Sequence, residues 1–392
     1  MLMQGDIWSF LFFVLLFIFG PKLYMWQMMY KLETDMKKLE GYAKKAESIL
    51  LKRVSAKPTK EMKEKLTHFM DFFITEPVNL DPAGIIKKLD FVINESERKF
   101  EEFALELDPK MKKDTIPNVM MGMKGAFGAM QIFKIVRHFI IMTKKTNNLQ
   151  FAMILQMQLP MLMKIAKAQV KATRALANGV PIGDTIGPII AASFKTKEGT
   201  EIVKDVVMSE EKIEGKKVFV MKSKGPESRL GQQGEGVKRV IAKHKIDYII
   251  AIDAAAKMEG EKTGMVAEGV GVPMGGVGVQ RFKIEESITD KKIPVDAIIV
   301  KQGFVEASIP MKKSIFDSIG PARDLVKKYV KKSKAKNILL VGVGNTAGAG
   351  NTKATVETSA ELLKKDWAAY AKKKKEEEDK KKSWWKSGPA SK

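Results

Sequence analysis

The sequence contains no cysteine, and its histidines are limited to His68, His138 and His244. Without cysteine there are no disulfides, no thiolate metal sites and no cysteine nucleophile. No two of the histidines are spaced as a pair of metal ligands, and a Ser-His-Asp triad is hard to assemble from so few, although one histidine would suffice. Cysteine chemistry is therefore excluded, and a histidine-based site is disfavoured.

Arginine is also scarce, although the formal net charge is +23 over 392 residues. Most of this charge is lysine, whereas bidentate readout of bases and phosphates is typical of arginine. The excess fits a solvated face or an anionic membrane better than specific nucleic-acid binding. No nucleic-acid partner is expected, and the chain is long enough for two domains.

A long apolar run without charge occupies residues 7–21, and apolar character resumes after Lys22 as far as Met29. Together they approach the roughly 20 residues of a membrane-spanning helix if Lys22 extends to the interface. The leader has Asp6 and no basic residue, unlike a secretory signal peptide. We expect a retained single-pass anchor in the cell membrane over residues 1–30, with the N-terminus outside and the lysine-rich remainder in the cytosol. The alternative is a buried core helix.

A heptad pattern follows the anchor and predicts a helical stalk over residues 31–56. Its apolar positions are Leu32, Met36, Leu39, Ala43, Ala46 and Leu50. The partner helix belongs either to this chain or to a second copy, so a homo-oligomer through the stalk is one expectation.

A helical domain is expected over residues 57–178, with one helix capped by Asp81 and Pro82. Two methionine-rich stretches, about 118–142 and 148–176, are predicted to form a buried helical hairpin. Charged residues in the first stretch and Pro160 in the second argue against membrane spans. A membrane-surface patch or a groove for client proteins is the alternative, because methionine-rich surfaces adapt to varied partners.

From residue 179 the composition shifts to glycine, valine and isoleucine, and strand-like runs alternate with helical patterns. This alternation predicts a three-layer α/β domain over residues 179–366, followed by a charged tail over residues 367–392. The expected strands are 201–208, 217–221, 246–252, 295–300 and 337–343, and the expected helices are 186–194, 236–244, 314–330 and 354–363.

Asp253 ends the apolar run YIIAID at residues 248–253, which is typical of a buried strand that delivers a carboxylate to the sheet edge where ligands bind. Asp184 lies in a glycine- and proline-rich turn before a predicted helix. A third loop, GVGNTA at 342–347, has the spacing of a dinucleotide fingerprint but no following strand to complete the unit. Each aspartate could instead serve only as a helix cap.

The order of five motifs resembles the bacterial spore germination protease, whose fold is shared with the hydrogenase maturation proteases. The motifs are GDTIGP at 183–188, LGQQG at 230–234, IIAIDA at 249–254, GGVGVQR at 275–281 and IPVDAIIV at 293–300. The resemblance covers about a third of the chain and implies a pair of catalytic aspartates, Asp184 and Asp253. The whole chain also resembles an uncharacterised family of archaeal membrane-anchored proteins, which implies no activity.

The chain departs from the protease pattern in two places. A Gly-x-Gly-Asn turn that precedes the family's first aspartate is found here only near the C-terminus, at Gly342 to Asn345. We therefore expect a circular permutation, in which the last strand takes the place of the family's first and brings Asn345 beside Asp184. The family's basic pair is reduced to Arg281, because Gln280 stands at the other position.

The resemblance and the two aspartates together predict a membrane-anchored peptidase in which the aspartate pair activates water, acting on a cytosolic protein or peptide. No cofactor and no metal of its own is expected, although metal contact by the carboxylates is the competing chemistry implied by the hydrogenase maturation branch. Substrate contacts are expected from the glycine-rich backbone, Arg281 and Asn345, the glycines being Gly275, Gly276 and Gly278. The alternative is a non-enzymatic membrane scaffold with a degenerate domain that binds a ligand or partner.

Overall fold

The computed structural model describes residues 3–72, 84–275 and 278–386 of the chain. The helices are α1 (Met3–Val54), α2 (Lys60–Phe69), α3 (Ile85–Leu107), α4 (Ile116–Thr146), α5 (Leu149–Ala177), α6 (Ile186–Ala192), α7 (Gln233–Lys243), α8 (Val279–Lys291), α9 (Phe304–Ser308), α10 (Lys313–Phe316), α11 (Ile319–Lys332) and α12 (Thr355–Lys386). The strands are β1 (Thr200–Val203), β2 (Val206–Ile213), β3 (Lys216–Ser223), β4 (Tyr248–Ala256), β5 (Val266–Val270), β6 (Val295–Gln302) and β7 (Asn337–Gly342).

Helices α1 to α5 form the N-terminal region, and three of them, α1, α4 and α5, are long and apolar enough to cross a membrane by length and composition. In α1 the apolar side chains of residues 8–19 are almost all exposed. The predicted cap at Asp81 and Pro82 lies outside the described residues, and α3 begins at Ile85.

The heptad positions of α1 face α4 and α5 of the same chain. Leu32 and Leu39 pack with Val136, Ile140 and Leu159, and the seam continues with Ala43, Ala46 and Leu50 against the first half of α4. The apolar heptad face of α1 is therefore covered by helices of the same chain. A homo-oligomer through this helix stays a prediction, and it would need a surface other than the seam.

The two methionine-rich stretches form the antiparallel pair α4 and α5, joined at Asn147 and Asn148. Small residues allow a close approach: a Cβ added at Gly122 would lie 2.7 Å from Ala177 Cβ, and one at Gly125 would lie 2.8 Å from Thr173 Oγ1. The antiparallel hairpin predicted from the sequence is thus confirmed, but it is only partly buried, since several large apolar side chains such as Met157 are exposed.

The C-terminal region is an α/β unit around a mixed seven-stranded sheet in the order β1-β2-β3-β7-β4-β6-β5. Strands β3, β7, β4 and β6 are parallel, and the outer strands are antiparallel. One face packs against α6, α11 and α12, and the other against α7 and α8. The expected three layers are therefore present.

Strand β7 is the last in the chain, yet it lies in the middle of the sheet between β3 and β4. Its run Ile338 to Val341 is buried on both faces, as the unbroken apolar sequence requires. Gly342 pairs with Ile252, and Val343 N–H donates to Ile252 O at 2.8 Å. This placement positions the loop after β7 next to the end of β4.

Several local predictions were wrong. Residues 201–208 do not form one strand, because the chain turns between β1 and β2 with Asp205 at a φ of 59°. The helix predicted over 314–330 is divided into α10 and α11, and Pro321 in the first turn of α11 marks a new helix start. Strand β5 includes Gly269, although the segment is rich in glycine, because it pairs only at the sheet edge. Helix α12 runs unbroken to Lys386 and so includes most of the expected charged tail, and the boundary at residue 367 stays a prediction.

Candidate active site

Asp253 is the sixth residue of β4 and lies near the carboxyl ends of the parallel strands, where ligands bind in open α/β sheets. Its side chain is only 5% exposed. The N–H of Ala254 donates to Asp253 Oδ1 at 2.6 Å. The carboxyl group is thus held in place by its own strand and shielded from water.

Asp184 lies in the 3-10 turn Gly183–Thr185 that leads into α6. The N–H of Asn345 donates to Asp184 Oδ2 at 2.7 Å, which confirms the expected approach of these two residues. Gly344 permits this contact, because its φ is 129° and an added Cβ would lie 2.1 Å from Asp184 O. The loop after β7 therefore fixes the first aspartate through a residue 161 positions further along the chain.

The two carboxyl groups influence each other electrostatically. Burial raises the pKa of Asp253 well above its ordinary value, and the nearby charge of Asp184 raises it further. The hydrogen bond from the Ala254 N–H lowers this pKa by a smaller amount. Residue Asp184 is partly exposed, but its carboxyl group is surrounded by protein atoms, and this burial raises its pKa. The hydrogen bond from the Asn345 N–H lowers the pKa by a smaller amount. Both shifts favour the protonated forms, so this pair of carboxyl groups resists full ionisation.

Two amide side chains beside Asp184 have buried polar groups with no partner. Gln302, at the end of β6, has neither Oε1 nor Nε2 paired, and Asn345 Nδ2 is also unpaired. Gln302 Oε1 lies close to the residue before Asp184, since a Cβ at Gly183 would come 2.3 Å from it. Buried polar groups are normally paired, so these atoms are available to a bound polar molecule.

Gln302 was not among the residues predicted from the sequence. A signal for it exists, because it is a polar residue at the end of an apolar strand, as Asp253 is. That signal depends on knowing that β6 pairs with β4, with Ala256 opposite Gln302. The pairing is decided by the tertiary structure.

The other predicted substrate contacts are distributed differently. Arg281 is on the first turn of α8, where its guanidinium pairs with Glu285 at 2.7 Å at the surface. Gly278 is the N-cap of α8 with a φ of 75°, and an added Cβ at Gly275 would meet open space. Gly276 lies outside the described residues. Neither the Arg281 ion pair nor the surroundings of Gly275 and Gly278 involve Asp184 or Asp253, so their role as substrate contacts stays a prediction.

A second buried polar cluster lies on β3 and after α6, on the α6 face of the sheet. Lys222 Nζ donates to Asn351 Oδ1 at 2.9 Å, and burial lowers the Lys222 pKa well below its ordinary value. Burial lowers the pKa of Lys195 to about 8. The charges of Glu211 and Glu198 oppose the Lys195 shift, and those of Glu198 and Glu227 oppose the Lys222 shift, but burial outweighs them. Lys195 Nζ is buried without a hydrogen-bond partner among the described residues. We assign the cluster no chemistry.

Asp253→Asn is expected to change the pH dependence of stability. The folded state binds the Asp253 proton more tightly than the unfolded state, whose pKa is about 3.9. The contribution of Asp253 to the free energy of unfolding is therefore fully present below the unfolded-state pKa, and it is lost as the pH rises through the raised pKa of the folded state. The uncharged asparagine should remove this loss and raise the free energy of unfolding near pH 8 by on the order of 1 kcal/mol.

Denaturant unfolding of the full chain in detergent at pH 5 and pH 8 measures this effect. Asp317→Asn is the control, because Asp317 is exposed in a surface pair with Lys313 and should leave the pH slope unchanged. An Asp253→Asn protein less stable than wild type at pH 8 would mean that an ionised Asp253 stabilises the fold.

Within residues 3–72, 84–275 and 278–386, no group of three histidine or carboxylate side chains is arranged to hold a metal ion. The aspartate pair alone offers two carboxylates. A metal contact at this site would need further ligands from a substrate or a partner.

Two family models match the chain. The N-terminal domain of a protein of unknown function, DUF1512, matches residues 6–179, and the C-terminal domain of DUF1512 matches residues 182–350. Searches of curated proteins and of solved structures found no match. The two matches meet where the helical region gives way to the α/β sheet and together cover most of the sequence. The chain therefore belongs to the DUF1512 family, an uncharacterised family defined by these two domains.

Proposed function

We propose that this protein is a membrane-anchored peptidase in which Asp184 and Asp253 activate water. The observation that carries the proposal is the pair itself: two carboxyl groups from distant segments meet at the ligand-binding edge of the sheet, and one shifts the pKa of the other. Perturbed carboxyl pairs are frequent at catalytic sites. The resemblance to the germination protease motifs supports the same reaction.

In the proposed reaction the two aspartates divide the roles of base and acid. Asp184 in its ionised form removes a proton from water, whose oxygen bonds to the peptide carbonyl carbon. Asp253 in its protonated form gives its proton to the amide nitrogen as the C–N bond breaks and the amine leaves, and the proton taken up by Asp184 restores the singly protonated pair. The Ala254 and Asn345 backbone N–H groups orient the two carboxyls for these steps.

The unpaired amides supply the contacts that a peptide needs. Asn345, whose backbone N–H contacts Asp184, has an unpaired side-chain donor, Nδ2, that suits the developing oxyanion of the substrate carbonyl. Gln302 offers both a donor and an acceptor, which matches one peptide group of an extended substrate. Substrate binding would thereby satisfy polar groups that the chain leaves without a partner.

The exposed apolar start of α1 supports the membrane anchor. Its side chains from Trp8 to Phe19 have almost no protein contacts to cover them, and exposed patches of this size are typical of membrane or partner contact. The lysine-rich segment after Tyr30 supports a cytosolic position for the catalytic domain.

A second candidate is a non-enzymatic scaffold that binds a ligand or partner at the same edge. The burial of Asp253 favours it, because a substrate must reach a carboxyl group that is 5% exposed. The same unpaired amides would then hold a ligand that is not cleaved.

A comparison of cellular peptides separates the two candidates. Protein N-termini are profiled in cells that carry the wild-type chain, Asp253→Asn or Asp296→Asn. Asp296 is the matched control: it lies on β6 of the same sheet and accepts a hydrogen bond from Tyr248. We expect cleavage products present with wild type and Asp296→Asn and absent with Asp253→Asn. Identical products in all three strains, at equal protein levels, would reject the peptidase and favour the scaffold.

A further inference from the structure

The α4–α5 hairpin reaches the level at which α1 begins to expose its apolar run. Arg53 Nε of α1 donates to Ala177 O at the end of α5, at 2.8 Å. From there α5 runs beside α1 towards its N-terminus, and at 1.5 Å per residue its 29 residues span about 42 Å. Leu149 is therefore level with about Met25, and both belong to one apolar cluster.

Large apolar side chains are exposed on this end of the hairpin. Met157 is the most exposed of them, at 70%. The others near the turn are Phe139, Ile141, Phe151, Met153 and Ile154. Their inward neighbours Ile140, Ala152 and Leu159 are buried against α1, so the exposed set forms the outer surface of a packed element and is left over after the hairpin core is complete.

The side chains around this surface are those typical of a membrane interface. Trp26 and Tyr30 of α1 are 67% and 66% exposed and stack with their ring centroids 6.1 Å apart. Lys144, in the last turn of α4, pairs with Glu33 at 2.5 Å and so lies at the same level. Aromatic rings and lysines concentrate where acyl chains give way to headgroups.

Charges exclude a deeper position for the hairpin. The part of α1 that lies beside α4 and α5 carries ionised residues from Lys31 to Glu47. Halfway along α4, Lys134 pairs with Asp71 and donates to Met70 O. Neither segment fits the bilayer core. Although α4 and α5 are long and apolar enough to span, only their joined end reaches the lipid.

We propose that the turn end of the hairpin, residues 139–157, inserts its exposed apolar side chains into the interfacial layer of a phospholipid bilayer beside the point where α1 enters. The inference rests on the proposed α1 anchor. A bilayer contact on α4 and α5 gives the protein three helices at the membrane surface. Such a contact orients the rigid helical region, and with it the catalytic edge, relative to the membrane.

Spin-label accessibility tests this proposal on the full chain. Because the protein has no cysteine, single cysteines can be introduced as Met157→Cys in the hairpin, Val14→Cys in α1 and Met258→Cys in the exposed β4–β5 connection. Each variant is labelled with a nitroxide and reconstituted in vesicles of phosphatidylcholine and phosphatidylserine. Collision with oxygen, which concentrates in the bilayer, is compared with collision with a water-soluble nickel complex.

We expect the oxygen-to-nickel accessibility ratio at Met157→Cys to be several-fold higher than at Met258→Cys and lower than at Val14→Cys. A ratio at position 157 equal to that at 258, with position 14 in lipid, would overturn the hairpin contact and leave the anchor intact. A water-like ratio at position 14 would reject the anchor itself. A label at 157 shielded from both reagents would show that a second copy covers the surface and would overturn the lipid contact.

Discussion

Substitution of asparagine for Asp184 or for Asp253 is expected to reduce kcat/KM for a cleaved peptide about 10²–10⁴-fold, which is the usual contribution of a general acid or base. Asp184→Asn removes the base, and Asp253→Asn removes the transferable proton. Because the two residues act on one transition state, the double variant should lose little more than the worse single variant. The measurement uses a peptide taken from a product identified in cells, with kcat and KM determined separately.

Retained folding must accompany this loss. Asparagine preserves the acceptor oxygens for the Ala254 and Asn345 N–H groups, so far-ultraviolet circular dichroism should be unchanged. Asp296→Asn should keep wild-type kcat/KM. If the two single losses multiply in the double variant, the aspartates act independently and the proposed shared role is wrong.

Gly187→Ala is expected to destabilise the α/β domain by about 3 kcal/mol, the upper part of the range for overpacking. An added Cβ at Gly187 would lie 2.2 Å from Val343 O and 2.7 Å from Ile252 O, both backbone atoms at the junction of β4 and β7. The methyl group would therefore push α6 away from the sheet. Since Asp184 lies three residues earlier, the acid pair should separate and peptide cleavage should fall as well.

Gly320→Ala is the matched control for this substitution. Gly320 is also the second residue of a helix, α11, and an added Cβ there has no atom within 4 Å. Its stability should stay unchanged or rise by about 0.5–1 kcal/mol, as for glycine to alanine in a helix. Denaturant unfolding of both variants gives the comparison. If Gly187→Ala is as stable as Gly320→Ala, the backbone at the junction of β4 and β7 adjusts to the added methyl group at little cost, and close packing of α6 there does not position Asp184.

The sequence alone determined those helices and strands whose buried face is marked by regularly spaced apolar residues. The heptad spacing of α1 and the small residues of α4 predicted a packed helical region, and the apolar runs of β4, β6 and β7 predicted buried strands. These features follow from which faces of an element must be buried. The approach of Asn345 to Asp184 was expected instead from the resemblance to the germination protease motifs and the circular permutation inferred from it, and the hydrogen bond of 2.7 Å between them bears it out.

Only the tertiary structure decided which elements meet. The heptad seam did not reveal that its partners are α4 and α5, because a period states that a face is buried but not what covers it. The turn at Asp205 and the strand at Gly269 depend on pairing with distant segments. Gln302 joins the candidate site because β6 pairs with β4, and Asp184 faces the end of β4 because β7 inserts into the centre of the sheet. Strand order is a non-local choice, made by the summed burial of both faces of the sheet, and no local pattern contains it.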